Sequence, residues 1–205
     1  MKQKLVGNLK YGKVFVVSAP AGTGKTTLVG MLTKEFESVK MSISCTTRPP
    51  RPFEVDGVHY HFYSDVEFQE KLEAGAFIEH VTLFGYRYGT SREHVQELQK
   101  KGHHVVLVID TQGAIQLMGR GAQFEAVFIF LMPPSKEELR RRLMERGTEK
   151  PEVIEERLGW SEREMELGSL YNYQIVNDGL AIAYEVLRSI IIAEEHIKKE
   201  GYNER

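Results

Sequence analysis

Three groups of residues in this chain are of types that handle phosphate. The first is Ala19-Pro20-Ala21-Gly22-Thr23-Gly24-Lys25-Thr26-Thr27. It follows the apolar run Val14-Phe15-Val16-Val17 and precedes Leu28, Met31, Leu32 and Phe36 at helical spacing. A strand, a small-residue loop ending in Gly-Lys-Thr, and a helix is the order of a phosphate-binding P-loop. Backbone N–H groups and the helix N-terminus cradle phosphate oxygens. In such a loop Lys25 would reach the terminal phosphates and the Thr26 hydroxyl would ligate Mg²⁺. Ala19 stands where the pattern opens with Gly, which is tolerable if its φ is negative. The second group is Arg48 and Arg51 in Arg48-Pro49-Pro50-Arg51-Pro52. Three prolines hold an extended loop, so two planar guanidinium forks could form a preorganised anion clamp; a solvated linker with two incidental charges is the other reading. The third group is Arg140, Arg141, Arg142 and Arg146. It is either a solvated helix face or a cluster that neutralises a moving phosphoryl group.

A P-loop alone serves switches, motors, ATPases and small-molecule kinases. The chain has no Asn-Lys-x-Asp guanine-base motif, and 205 residues leave no room for a motor or a large ATPase. An early and a late arginine group suit a kinase for a phosphorylated acceptor. One would hold the acceptor's phosphate and the other would offset charge on the transferred group. The net charge of −2 argues against a general nucleic-acid or membrane-surface binder. Cys45 is the only cysteine, which excludes a disulfide framework and fits the cytosol. No apolar stretch approaches the roughly 20 residues of a membrane span. Lys2, Lys4, Lys10 and Lys13 before an apolar run imitate a signal peptide, but cleavage at Ala19-Pro20-Ala21 would cut the phosphate loop. His59 and His61 lack further ligands nearby in sequence and are expected at alternating, solvent-facing strand positions.

These groups need elements to position them. Residues 1–12 read as a leader of low information. Strands are expected over 13–18, 41–45, 58–63, 77–84, 103–109, 126–131 and 172–176, and the near-continuous apolar ones imply strands covered on both faces. Helices are expected over 25–36, from Ser64 with a Glu67 capping box to Gly75, from Ser91 to about Lys101, over 111–120, from Ser135, from Pro151, and from an Asp178 cap. Residues 85–90 read as a polar turn. The alternation implies an α/β fold with a mainly parallel core sheet, and the more polar stretch after residue 42 fits a smaller mixed lobe.

The chain resembles the guanylate kinase family, which moves the γ-phosphoryl of ATP onto GMP. The resemblance spans Val14 to Asp178 and rests on Ser42-Ile43-Ser44-Cys45-Thr46-Thr47-Arg48-Pro49-Pro50-Arg51, Glu54-Val55-Asp56-Gly57-Val58-His59-Tyr60-His61-Phe62, Phe77-Ile78-Glu79, Tyr88-Gly89-Thr90-Ser91, Ile109-Asp110-Thr111-Gln112-Gly113-Ala114, Arg146-Gly147-Thr148-Glu149 and Ile175-Val176-Asn177-Asp178. It implies a three-layer P-loop domain over 1–205. Its core would be 12–41, 92–135 and 170–205, with a small mixed α/β GMP-binding lobe at 42–91 and a helical lid at 136–169. It implies ATP contacts from Ala19, Pro20, Ala21, Gly22, Thr23, Gly24, Lys25, Thr26, Thr27 and Asn177. GMP contacts would come from Ser44, Arg48, Arg51, Tyr60, Glu79, Tyr88, Thr90 and Asp110. Lys25, Arg48, Arg142, Arg146 and Arg157 would be the catalytic cations, with Thr26 the protein ligand of a Mg²⁺ cofactor. Guanine offers N1–H and an exocyclic amine on one edge, and a carboxylate such as Glu79 accepts from both. Adenine would leave that acceptor unpaired, at about 1–3 kcal/mol.

The expected products are ADP and GDP, with dGMP as a second acceptor, in a cytoplasmic monomer or homodimer of purine metabolism, with no nucleic-acid or membrane partner. Three positions depart from the family pattern: Ala19, Phe53 where Gly is common, and Val108 where an acidic residue is common. Val108 puts a direct carboxylate ligand to Mg²⁺ from that strand in doubt. Two rival readings are a guanylate-kinase-like scaffold module that binds phosphopeptides and a P-loop kinase for another phosphorylated small molecule. The first has lost the phosphate loop that this chain keeps; Glu79 and Asp110 discriminate the second.

Overall fold

A computed structural model describes residues 4–145 and 151–197, with side chains described from 154 onward in the second segment. Five parallel strands make the core sheet: β1 (Val14–Ser18), β2 (Val39–Met41), β7 (His104–Val108), β8 (Val127–Met132) and β9 (Tyr173–Val176), in the order β2-β7-β1-β8-β9. Strand β1 is central and its five residues are all buried. Alternate residues feed opposite layers. Phe15 and Val17 pack with Leu28 and Leu32 of α1 (Lys25–Glu35) and Leu187 and Ile191 of α7 (Leu180–His196). Val14 and Val16 pack with Val95 of α3 (Arg92–Lys100) and Leu117 of α4 (Thr111–Met118). Both faces are covered, which is why these strands carry unbroken apolar runs.

A second, mixed sheet comprises β3 (Cys45–Thr46), β4 (His61–Phe62), β5 (Phe77–Leu83) and β6 (Tyr86–Ser91), in the order β4-β3-β6-β5, with α2 (Asp65–Glu73) beside it. The Ser64–Glu67 capping box forms as expected. Phe68 of α2 stacks on Phe77 with ring centroids 4.5 Å apart. Two further helices, α5 (Lys136–Glu145) and α6 (Pro151–Leu167), share a small apolar core of Leu139, Leu143, Ile154 and Leu158, against which Ala21 of the phosphate loop packs.

Several expectations are corrected. The strand expected over 41–45 is two strands in two sheets, because the chain leaves the core after Met41 and enters the mixed sheet at Cys45. Only His61–Phe62 of the expected 58–63 strand joins the sheet; Tyr60 makes an isolated bridge to Asp56, and His59 lies before it, where its Nδ1 accepts the Val55 N–H at 3.0 Å. The expected turn at 85–90 is strand β6, and the turn proper is Phe84-Gly85, with φ of 51° and 80°. Gly179 occupies the N-cap of α7 in place of Asp178. The leader is not idle. Val6 is buried in the core, and Asn8 donates its backbone N–H (2.6 Å) and side-chain amide (3.0 Å) to Glu195.

Candidate active site

The phosphate loop leaves the C-terminal end of β1, where open α/β sheets bind ligands. Gly22 (φ 88°) and Gly24 (φ 97°) take the left-handed turns that leave the backbone amides clustered. Ala19 does not, since Phe84 is the one non-glycine with positive φ among the described residues, so the missing Gly costs no backbone strain. A Cβ on Gly24 would lie 2.9 Å from the Asn177 amide nitrogen, and that nitrogen donates to the Thr23 carbonyl at 2.7 Å. Thr23 is buried, its hydroxyl donating to the Pro20 carbonyl at 2.8 Å. Asn177, expected beside adenine, thus also braces the loop. Lys25 folds back with Nζ 2.5 Å from the Ala19 carbonyl, across the cradle its own loop forms. Thr26 and Thr27 are exposed in the first turn of α1. Ala21 and Gly22 lie under the helix pair, with Leu143 packed 3.0 Å from where a Gly22 Cβ would be.

On the mixed sheet, Arg48 donates to Glu54 at 2.8 Å, and Glu54 also accepts the Arg51 backbone N–H at 2.8 Å. Burial opposes the charge of Glu54, but the Arg48 and Arg51 contacts outweigh it and hold its carboxyl below the ordinary range. Glu54 therefore shapes the arginine loop from within, which a sequence motif does not disclose. The Arg48 guanidinium lies 5.4 Å from the centroid of Tyr60, whose ring meets Tyr88 edge-on at 6.2 Å. Arg51, which shares Glu54 with Arg48, and both tyrosines thus stand around Arg48. Phe53 is 66% exposed and does not fill this pocket. Ser44 lies between the sheets, its carbonyl accepting the His61 N–H at 2.9 Å; its hydroxyl makes no described contact.

Glu79 is 3% exposed and accepts the Thr90 hydroxyl at 2.5 Å. Burial pushes its carboxyl up to about 7; the Thr90 bond opposes this and the Asp110 charge adds to it. A register shift between Phe77 and Glu79 breaks the strand's alternation. That bulge lets Ile78 face the core while Glu79 is buried at the site. Gly113 of α4 makes the space: a Cβ there would be 2.5 Å from Glu79 Oε2. Asp110 lies two residues beyond β7 and caps α4, accepting the Gln112 N–H at 2.8 Å.

Sequence reasoning missed Glu164. It lies on α6, accepts the Thr111 hydroxyl at 3.0 Å, and is pushed up to about 7 by burial and then Asp110, against Lys25, Thr111 and Arg157. Its spacing of seven from Arg157, two turns along one helix face, was the available signal. Asp110 acts on both Glu79 and Glu164, and Lys25 on Glu164, so the mixed sheet, the phosphate loop and α6 meet in one electrostatic neighbourhood.

The late arginines divide. Arg140 pairs bidentately with Glu155, joining α5 to α6, and Arg141 pairs with Glu138 and Glu145. Those two form a charged, largely structural face. Arg142 shares Glu138, donating to it at 2.7 Å, and reaches past it to the Asn177 carbonyl at 3.0 Å, on the residue that braces the loop. Arg157 lies on α6 with its guanidinium 5.1 Å from the centroid of Phe84. Arg146 lies outside the described residues. Among the described residues no group of three or more His, Cys, Asp or Glu could hold a metal. Val108 packs against the core, so β7 offers no carboxylate there. An exposed Thr26 hydroxyl beside a phosphate cradle suits an ion that keeps most of its waters.

A phosphate loop on a parallel sheet, a second sheet carrying an arginine group and a buried carboxylate, and a helix pair seated on the loop define a P-loop kinase with two substrates. The Guanylate kinase family profile matches residues 11–194. The chain is 54% identical over 192 residues to a guanylate kinase of Protochlamydia amoebophila, covering 94% of this chain and 96% of that one. It is 50% identical over 190 residues to one of Chlamydia muridarum, covering 92% and 91%. The crystal structure of guanylate kinase from Anaplasma phagocytophilum superposes with a TM-score of 0.74 at 31% identity, over 95% of this chain and 91% of that chain. The SH3-kinase fragment of tight junction protein 3 shares the fold alone, with a TM-score of 0.53 at 12% identity over 91% of this chain and 59% of that one. The chain belongs to the guanylate kinase family.

Proposed function

We infer that the residues assembled here carry out the family's reaction, the ATP-dependent phosphorylation of GMP to GDP. The chain is an enzyme of that type. The observation that carries the assignment of acceptor is the buried Glu79 beside Thr90, Gly113 and Asp110. Once ionised, its carboxylate accepts the N1–H and exocyclic amine of guanine, a pairing adenine cannot supply. Arg48, Arg51, Tyr60 and Tyr88 bind the GMP phosphate as two forks and two phenols. Ser44, Thr90 and Asp110 hold the nucleoside.

The loop 19–27 binds the ATP phosphates through its backbone, with Lys25 swinging from the Ala19 carbonyl onto the terminal phosphates. Asn177 fixes the loop and borders the adenine. Arg142, Arg146 and Arg157 place positive charge on the phosphoryl group in flight. Thr26 would hold Mg²⁺, which would supply further neutralisation of phosphate charge. The seating of α5 and α6 on Ala21 and Gly22 excludes water that would compete with GMP as acceptor. The apolar core and single buried Cys45 suit the cytoplasm and a role in purine nucleotide supply. Among the described residues no helix is long and apolar enough to cross a membrane.

Glu79→Ala tests the assignment. It should raise KM for GMP by about tenfold or more, the cost of a lost charged acceptor, and leave KM for ATP within about twofold. Equal losses for both nucleotides would remove Glu79 from the guanine site. Chelating divalent cations should abolish turnover and restoring Mg²⁺ should recover it; full activity in chelator would contradict the Thr26–Mg²⁺ reading.

A further inference from the structure

We propose that Phe84 is a positioning residue for phosphoryl transfer, its ring holding the Arg157 guanidinium at the gap between the mixed sheet and the phosphate loop. The inference rests on the reading of Arg157 as a phosphate-contacting cation. Two independent observations point to Phe84. The first is conformational. Leu83 pairs with Tyr86, so Phe84 and Gly85 form a two-residue hairpin with φ of 51° and 80°. Such turns strongly favour Asn, Asp or Gly at the first position. A bulky residue there is an outlier that some other interaction has to sustain. The second is contact. Phe84 is 52% exposed, so core packing does not explain it, and the cation above its ring belongs to a different part of the chain, helix α6.

The geometry suits a platform. A guanidinium has two flat faces and an in-plane edge of N–H donors. A ring that meets one of those faces does not itself use the edge, so the contact can persist while Arg157 serves the substrate. The helix is correctly turned. Glu164, seven residues on and therefore on the same face, reaches Thr111 at 3.0 Å next to Asp110, and it feels the charge of both Lys25 and Arg157. The Phe84 contact thus closes the circuit on the other side. Arg157 is gripped at its tip by the β5–β6 hairpin, while α6 is anchored by Glu164. Motion of the hairpin when acceptor binds would carry the guanidinium with it, and less side-chain freedom remains to be lost at the transition state.

The test is a double-mutant cycle on the purified full chain, reading kcat and both KM values together with Tm. Phe84→Leu and Phe84→Gly should lower kcat about fivefold, the size of a surface cation–π contact, with KM for ATP and GMP within about twofold. Phe84→Trp, a stronger cation–π partner, should keep wild-type kcat. Gly suits the observed φ, so the Phe84→Gly protein should melt no lower than wild type, which separates a lost rate from a lost fold. Arg157→Ala should be slow, and adding Phe84→Leu to it should slow it no further. Wild-type kcat in both Phe84→Leu and Phe84→Gly, or effects that multiply in the double variant, would overturn the role of Phe84 while leaving Arg157 in place. Wild-type kcat in Arg157→Ala would overturn the Arg157 reading itself, and the inference with it.

Discussion

Glu79 combines burial, a 2.5 Å bond from Thr90 and a carboxyl pushed up to about 7. In the role proposed for Glu79, guanine binding needs the ionised form, because a protonated carboxyl can no longer accept from both guanine donors. Lowering the pH through about 7 therefore protonates the free enzyme and weakens GMP binding. KM for GMP should rise close to tenfold per pH unit below that point, and Glu79→Gln should flatten the profile while KM for ATP stays level. A profile of KM for GMP that is flat between pH 8 and 6 in the wild type would contradict this. Gly113 is the residue that makes room for the carboxylate. Gly113→Ala sets a methyl against Glu79 Oε2, and should raise KM for GMP by about tenfold through displacement of that oxygen; titration calorimetry with an ATP analogue should show donor binding unchanged. Glu79, Arg48 and the Gly-Lys-Thr loop were legible because their chemistry lies in local motifs. Gly113 was visible only as a motif member, since its reason is a close approach from another strand. Glu54 likewise stood only as a motif member, and Glu164 was silent, because their partners, Arg48 and Thr111, are set by folding.

At the scale of elements, apolar runs identified β1, β7 and β8 well, because strands covered on both faces leave an unbroken signature. The mixed sheet was harder. Its strands β3 and β4 have two residues each, too few for alternation to register. The bulge between Phe77 and Glu79 also breaks the period that would have assigned Glu79 a face. The helix pair α5 and α6 was read by its caps and stripe, but its arginines could not be divided from sequence, since Arg140 and Arg142 differ only in which element they meet. The pair rests on a small core of its own in which Leu158 is 1% exposed. Leu158→Ala should cost about 2–5 kcal/mol locally. Amide exchange in α5 and α6 should accelerate while exchange in β1 and β7 stays slow; uniform acceleration across the core sheet would show that the pair is not a separate stability unit. Loss of kcat with little change in KM for GMP should accompany it if the cations on these helices act on the transferred group, as proposed.

Across the whole molecule, the leader, the sheet and the last helix are tied at a point remote from the site. His104 Nε2 faces Glu195 Oε2 at 2.5 Å, His104 Nδ1 accepts the Lys13 N–H at 3.0 Å, and Glu195 also holds Asn8. With Nδ1 accepting, the imidazole is neutral and donates from Nε2. Burial first, outweighing Glu195, holds the His104 pKa below its ordinary 6.5. Glu195 is lowered as well: burial opposes its charge, but the Asn8 and Gly7 N–H groups, the Asn8 side chain and His104 outweigh it. Both folded values lie below the unfolded ones, so the unfolded chain takes up protons first as pH falls. The stabilisation is present above about pH 6.5 and is lost progressively on acidification through the folded values. Tm should therefore fall from pH 7 to 5. Glu195→Gln should cost about 1–3 kcal/mol of lost pairing and so lower Tm at pH 7, and it should steepen the fall, because the Glu195 charge is what opposes the lowering of His104. A Tm indifferent to pH over that range in the wild type would contradict it. Sequence reading saw His104 only as one of two adjacent histidines, because its partner lies 91 residues away. The central claim is that the buried carboxylate and the phosphate loop form one two-substrate site selective for a guanine acceptor. Its most direct measurement is a coupled assay of ADP formation with ATP and, in turn, GMP, dGMP, AMP, UMP and dTMP: rapid turnover with GMP and at least about a hundredfold lower kcat/KM with AMP, UMP and dTMP is the predicted result, and no turnover of GMP above background, or equal turnover of AMP, would contradict it.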